Sequence, residues 1–124
     1  YYNKSIMEGE IFPVIGAAEL QKLAETYNKI FKENEETQRL ICHQAEHDAI
    51  IMVEMTSDLK YTIEEKIKAV NEELGTENEN IPAVSLSVGV AFSDRENSGE
   101  SIFKDADKAL YYVKENGRNG CKFY

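Results

Sequence analysis

The chain has 124 residues, of which 42% are hydrophobic, so it can bury one core and is too short for two domains. Its 14 Lys and Arg against 23 Asp and Glu give a formal charge of -9, which excludes nonspecific binding to nucleic acid or to an anionic membrane surface. The chain has only two cysteines, no apolar run of membrane-spanning length and no leader-like start. These features predict a protein of the reducing cytoplasm.

The charge is unevenly distributed along the chain. From Ile102 to the end there are five cations and three anions, a local +2 that leaves -11 on the rest. We expect any anionic ligand to bind this C-terminal segment.

The first predicted element is a helix from about Ala17 to Glu33. Apolar residues recur there at three- and four-residue steps and therefore share one face. They are Leu20, Leu23, Ala24, Tyr27, Ile30 and Phe31. We expect this face to pack on a sheet.

Two predicted strands follow at hairpin distance. The first covers Arg39 to His43, and the second is Ala49 to Val53, a short apolar run typical of a central buried strand. We place the hairpin turn near Glu46.

The second predicted helix runs from about Ile63 to Leu74. Its apolar residues form one stripe, and Thr62 with Glu65 has the spacing of a capping box. We expect Gly75 to end this helix.

The next predicted strand, Val84 to Phe92, alternates bulky and small residues. The bulky ones are Val84, Leu86, Val88, Val90 and Phe92, and the small ones are Ser85, Ser87, Gly89 and Ala91. One face of this strand therefore carries only small side chains, so another element can approach it closely.

The last helix is predicted from about Ser101 to Asn116, with Phe103 among its buried residues and Gly117 in the left-handed conformation that often ends a helix. Lys114 and Arg118 then lie around the helix end. A cation there is favoured by the helix dipole with or without a ligand, so a structural and a functional interpretation both stay open. Cys121 to Tyr124 is predicted as an edge strand.

This element order predicts an α/β fold with one missing part. If a strand preceded the first helix, the order would be the ferredoxin-like β-α-β-β-α-β with an added α-β unit. That strand would lie between the hairpin and the strand at Val84. Ile11 to Ile15 is interrupted by Pro13 and makes a poor central strand, so we expect the first strand upstream of residue 1.

Three segments near the C-terminus resemble the closing third of the GGDEF (diguanylate cyclase) family. They are Ser85 to Ala91, Ala106 to Tyr111, and Lys114 to Asn119, in the family's order and spacing. The resemblance implies a nucleotidyl-cyclase-like sandwich with a central, mostly antiparallel sheet. It also implies that residues 1–124 form a single GGDEF-like domain from a longer sensor protein.

The family's signature motif, Gly-Gly-Asp/Glu-Glu-Phe, corresponds here to Ala45, Glu46, His47, Asp48 and Ala49. Active members join two GTP molecules into cyclic di-GMP, one held by each subunit of a dimer, with metal ions assisting. Ala45 and Glu46 replace the glycines that let the backbone approach the nucleotide, and His47 replaces a hard carboxylate ligand. We therefore assign no catalytic residue, keep Asp48 as the sole metal candidate, and expect Mg²⁺ only if the domain is an active cyclase.

The nucleotide-contacting positions that the resemblance implies are partly kept. Lys114 and Arg118 match a phosphate-contacting pair, and Asn3 matches an asparagine that reads guanine, whereas Ala17 replaces the aspartate that assists it. The family's inhibitory Arg-x-x-Asp site falls on Glu36 to Arg39 with its charges reversed, which argues against feedback binding of cyclic di-GMP.

Cys42, His43, His47 and Asp48 also suggest a Zn²⁺ site, but adjacent strand residues point to opposite faces, so Cys42 and His43 do not converge.

Three functions are compatible with these residues. The first is a degenerate GGDEF domain without cyclase activity, which acts as a regulatory, interaction or nucleotide-sensing module. The second is an active diguanylate cyclase, and the third is a purely structural dimerisation domain. The expected partners are GTP or a related nucleotide bound weakly, an upstream sensor domain or other proteins, and a second copy of the chain.

Overall fold

The computed structural model describes residues 17–32, 40–46, 48–76 and 83–124. These residues form three α-helices and four strands in the order α-β-β-α-β-α-β. The helices are α1 (Ala17–Tyr27), α2 (Lys60–Leu74) and α3 (Ile102–Glu115). The strands are β1 (Ile41–Glu46), β2 (Ala49–Glu54), β3 (Ser87–Phe92) and β4 (Gly120–Phe123). The α/β fold class predicted from the sequence is confirmed.

The four strands form one mixed sheet in the order β1-β2-β3-β4. β1 and β2 are antiparallel, whereas β2 with β3 and β3 with β4 are parallel. The expectation of a mostly antiparallel sheet is therefore wrong for these strands. The α2 and α3 crossovers each return the chain to the same end of the sheet, which makes the strands that they connect parallel.

The space predicted for an extra central strand does not exist in this sheet. β2 and β3 pair directly over six residues, from Ala49 opposite Ser87 to Glu54 opposite Phe92. The placement of a strand between the hairpin and the strand at Val84 is thus corrected. The expected strand itself, like Ile11 to Ile15, lies outside the described residues.

The hairpin is confirmed, with small shifts at its ends. β1 begins at Ile41, two residues after the predicted start, and continues to Glu46, which pairs with Ala49. The pairing is irregular between Gln44 and Glu46. The turn therefore falls immediately after Glu46, as the sequence predicts.

β3 is shorter than predicted, and the residues before it bond to α2 as well as to β4, whose Gly120 N–H donates to the Leu86 carbonyl at 3.3 Å. The Asn71 side chain accepts from the Leu86 backbone N–H at 2.6 Å and donates to the Leu86 carbonyl at 3.1 Å. The Val84 N–H donates to the carbonyl of Leu74 at 3.0 Å. The strand ladder accordingly begins at Ser87.

The predicted capping box of α2 does not form. The helix begins at Lys60, directly after a 3₁₀ turn over Ser57–Leu59, and Leu59 at its N-cap makes no side-chain cap bond. Thr62 is consequently inside the first turn and cannot act as a cap. Gly75 is the C-cap, as predicted.

The other two helices agree more closely with their predicted ranges. α1 ends at Tyr27 and a π-helical turn, Asn28–Lys32, covers the rest of its predicted length. α3 is flanked by Ser101, which accepts a bond from the Lys104 N–H, and by Asn116. Ala24 and Phe103, however, are exposed rather than buried.

Two apolar layers cover the sheet, one on each face. The larger joins α1, α2 and the Ile50, Met52, Val88 and Val90 side of the sheet. The smaller joins α3 to Ala49, Ile51, Val53 and Ala91. At Gly89, an added Cβ would lie only 2.2 Å from the Ala106 carbonyl oxygen, so the small face of β3 does admit α3 closely.

Candidate functional site

The starts of three parallel strands meet at one edge of the sheet. Ala49 of β2 is opposite Ser87 of β3, and Ser87 is opposite Gly120 of β4. The hairpin turn and the α3–β4 junction are therefore brought to the same place. We call this place the turn edge and define it by Asp48, Ser87 and residues 116–120.

The α3–β4 junction has a specific backbone conformation. Gly117 has φ +107°, and Arg118 has φ +64°, the left-handed region that non-glycine residues rarely enter. The Arg118 N–H donates to the Val113 carbonyl at 3.0 Å, and the Asn116 side chain donates to the Tyr112 carbonyl at 2.8 Å. Both carbonyls also accept from the Asn116 backbone N–H at 3.1 Å, so several donors converge on the last turn of α3.

Ser87 connects both sides of the turn edge. This residue is fully buried, its backbone N–H donates to the Asp48 carbonyl at 2.8 Å, and its hydroxyl donates to the Arg118 carbonyl. One residue thus holds the backbone of two residues from distant parts of the chain, through its N–H on one side and its hydroxyl on the other.

The side chains of Asp48 and Arg118 form an ion pair across this edge. A guanidinium nitrogen, Nη1, lies 3.4 Å from Oδ2 of the carboxylate, and the side chains are 39% (Arg118) and 26% (Asp48) exposed. Two residues that the sequence assigned to different roles, a phosphate contact and a metal candidate, are therefore in contact. A pair so accessible to water contributes about 0.2 to 1 kcal/mol.

Lys114, the other predicted phosphate contact, is in the last turn of α3. Its ammonium nitrogen is buried although the residue as a whole is half-buried. The two predicted cations therefore differ in how far a solvent anion can reach them.

The remaining candidates are partly placed. Ala45 and Glu46 are the last residues of β1, and Ala49 is fully buried at the start of β2. His47 and Asn3 lie outside the described residues. Of the predicted site residues, the structure brings together Asp48 and Arg118.

For Mg²⁺, the predicted candidate that the structure describes is Asp48. No group of three or more His, Cys, Asp or Glu within the described ranges could hold a metal ion. Asp48, the candidate carboxylate, is bonded to a guanidinium that a metal would have to displace.

Cys42 and His43 point to opposite sides of β1, as the sequence predicts. The Tyr27 hydroxyl donates to the Cys42 sulfur at 2.6 Å, and the His43 ring packs edge-on against Phe103 at 5.3 Å. Burial, followed by the neighbouring Cys42, raises the pKa of Tyr27 above its usual range, so this donor keeps its proton at neutral pH. These two residues therefore cannot share one Zn²⁺ ion.

An apolar cavity of about 400 Å³ lies beside the Tyr27 to Cys42 bond. The described residues lining it are Leu20, Leu23, Ala24, Tyr27, Asn28, Cys42 and Ile50. These described lining residues include no Lys or Arg that could pair with a phosphate group.

Sequence reasoning missed the buried ion pair between Arg95 and Asp105. The Arg95 Nε donates to Oδ2 of Asp105 at 2.7 Å, the Gly99 N–H donates to the same oxygen at 2.9 Å, and Asp105 is fully buried. The pair ties the loop after β3 to the start of α3. The available signal was the helical spacing of Asp105, three residues after Ile102 and four before Ala109 on the buried face of α3.

Comparison with protein-family models identifies the family of this chain. The model for the GGDEF domain of diguanylate cyclases matches residues 14–120. The chain belongs to the GGDEF family. Comparisons with curated proteins and with solved structures gave no match.

The family assignment confirms the resemblance, which is firm in the C-terminal third and looser before it, over residues 14–120. It makes the chain a domain of cyclic di-GMP signalling, and GGDEF domains bind GTP and often dimerise. Among the described residues, no helix is both long enough and apolar enough to span a membrane.

Proposed function

We propose that this GGDEF domain has no diguanylate cyclase activity and acts as a regulatory module that binds nucleotide weakly. The observation that carries the proposal is the ion pair between Asp48 and Arg118. The carboxylate kept in the signature motif neutralises the cation at the matching phosphate position. A cyclase would need that cation for phosphate.

The motif residues support the same proposal. Ala45 and Glu46 add side chains where the family has glycines, and Glu46 adds an anion near any bound phosphate. Lys114 and Arg118 are proposed to contact the nucleotide phosphates, with Asn3 at the base. Replacement of the guanine-reading aspartate by Ala17 leaves the base poorly recognised.

The proposed setting is the cytoplasm, within a longer protein whose upstream sensor domain this module regulates or is regulated by. A second copy of the chain or another signalling protein is the proposed macromolecular partner. Residues 1–124 are proposed to form a single domain of that protein.

The activity part is tested by incubating the purified domain at high concentration with GTP and Mg²⁺. We expect no cyclic di-GMP, because the glycine turn and the metal carboxylate of the family are both altered here, and the resulting losses of transition-state stabilisation multiply. Chromatography of the products is the measurement. Product that disappears in the Asp48→Ala variant would contradict the proposal.

The binding part is tested by calorimetric titration with GTP and with ATP. We expect dissociation constants in about the micromolar to millimolar range, roughly 8 to 4 kcal/mol, with little preference between the bases. The double variant that combines Lys114→Ala and Arg118→Ala should bind both nucleotides more weakly than the parent.

The control is Lys66→Ala with Lys68→Ala, which removes two cations from α2. Equal affinity in the parent and the Lys114/Arg118 variant, or binding by neither, would assign these two cations to stabilising the helix end.

A further inference from the structure

We propose that Asp48 is a built-in competitor for phosphate at Arg118, so that an incoming anion must displace the Asp48 carboxylate before it binds. This inference rests on the proposed function, in which Arg118 contacts phosphate. It adds that the affinity of the site is set by a contact within the chain itself.

The backbone on both sides of the pair is fixed. Ser87 donates its N–H to the Asp48 carbonyl and its hydroxyl to the Arg118 carbonyl, and the Arg118 N–H donates to Val113. The left-handed conformation of Arg118 further restricts where its side chain begins. From these backbone positions the two side chains reach each other across the turn edge.

The contact itself is weak enough to exchange. The nearest charged atoms are 3.4 Å apart, which is long for a charge-assisted hydrogen bond, and both side chains are partly open to solvent. A phosphate group offers several oxygens to the planar guanidinium and can bind it through two parallel bonds. An exchange of carboxylate for phosphate is therefore favourable for Arg118 alone.

The carboxylate opposes this exchange in two ways. It must give up its own partner, and afterwards it remains as an uncompensated negative charge beside the bound anion. The chain as a whole carries -9, so the background field also repels the anion. Removing the charge at position 48 should relieve both effects.

The test is the Asp48→Asn variant, titrated with GTP and with inorganic tripolyphosphate in the presence of a chelator. Asn keeps the shape of the side chain and removes its charge. We expect about two- to fivefold tighter binding of both anions, the range that corresponds to an accessible ion pair. Asp48→Ala should show the same gain and serves as a second variant.

Two controls isolate the contact. In the Arg118→Ala background, Asp48→Asn should give no gain, because the competition acts through Arg118. Glu96→Gln makes the same change of charge in the exposed loop after β3, at the other end of the sheet, and should leave affinity unchanged.

Several outcomes would overturn the inference. These are unchanged or weaker binding in Asp48→Asn, a gain that persists without Arg118, a gain confined to GTP, or binding by neither the parent nor the variant. A loss of unfolding free energy without any gain in affinity would make the pair a purely structural link. Binding by Asp48→Asn but not by the parent would support the competition and refute weak nucleotide binding by the natural domain.

Discussion

Asp105 shows how single residues in this domain depend on their neighbours. Burial raises the pKa of this carboxyl, but the bonds from Gly99 and Arg95 outweigh burial and hold the pKa below its usual value. A group with a depressed pKa in the folded state stabilises the fold above its unfolded pKa of about 3.8. That stability is lost as the pH falls through the folded pKa.

We predict that Arg95→Met destabilises the domain more at pH 7 than at pH 3. At pH 7 the variant buries a carboxylate without its cation, whereas at pH 3 the carboxyl can be protonated and needs no partner. Urea denaturation at both pH values measures the difference from the parent.

Lys104→Met is the matched control for this prediction. It removes a cation from the Lys104 to Glu100 pair, whose side chains are 65% and 62% exposed, so it should change stability little at either pH. An Arg95→Met deficit that is the same at pH 7 and pH 3 would show that the charge of Asp105 is not the cause.

The helix starts show how an element can form with or without its expected cap. In α3, Ser101 accepts a bond from the Lys104 N–H at 3.1 Å, as a helix N-cap should. In α2, the predicted capping residue Thr62 lies inside the helix, and the 3₁₀ turn before Lys60 makes the entry instead. A capping pattern in the sequence therefore predicts a helix better than it predicts the first residue of that helix.

We predict that Ser101→Ala lowers the free energy of unfolding by about 1 kcal/mol, the usual value for losing a side-chain cap. Thr62→Ala should change it by less than about 0.5 kcal/mol, because no cap bond is lost. Urea denaturation of both variants under identical conditions gives the comparison. A larger loss of unfolding free energy in Thr62→Ala than in Ser101→Ala would contradict this prediction and indicate that Thr62 does cap α2.

On the scale of the whole molecule, the two apolar layers share one sheet. Ile50 and Met52 of β2 face the larger layer, while Ala49, Ile51 and Val53 face α3. Unfolding of β2 therefore exposes apolar residues of both layers at once. The described domain should therefore unfold as one cooperative unit.

We predict that Leu110→Ala on the buried face of α3 and Ile67→Ala on the buried face of α2 each lower the free energy of unfolding by about 2 to 5 kcal/mol. Both residues are at most 1% exposed and lie on opposite faces of the sheet. In each variant, circular dichroism and tyrosine fluorescence should report one coincident transition.

Met55→Ala is the control for both variants. Its side chain is 74% exposed, and the change should cost less than about 0.5 kcal/mol. Two separate transitions in either core variant would show that the layers unfold independently.

The sequence by itself determined the elements, the buried strand and the family. Periodicity located all three helices, and the bulky-small alternation of β3 correctly indicated the close approach of α3 at Gly89. The C-terminal motifs were sufficient to indicate the GGDEF family, which the match over residues 14–120 then established. These features depend on neighbours a few residues apart, so local patterns carry them.

Only the tertiary structure decided which distant residues meet. Three contacts join separate elements. They are the direct pairing of β2 with β3, the bonds of Asn71 to Leu86 just before β3, and the Arg95 to Asp105 pair. The contact between Asp48 and Arg118 spans 70 positions in the chain, and Ser87 fixes the backbone on both sides of it. Spacing along the chain does not encode such contacts, because each forms only when separate elements pack together, as when the sheet aligns the starts of its parallel strands.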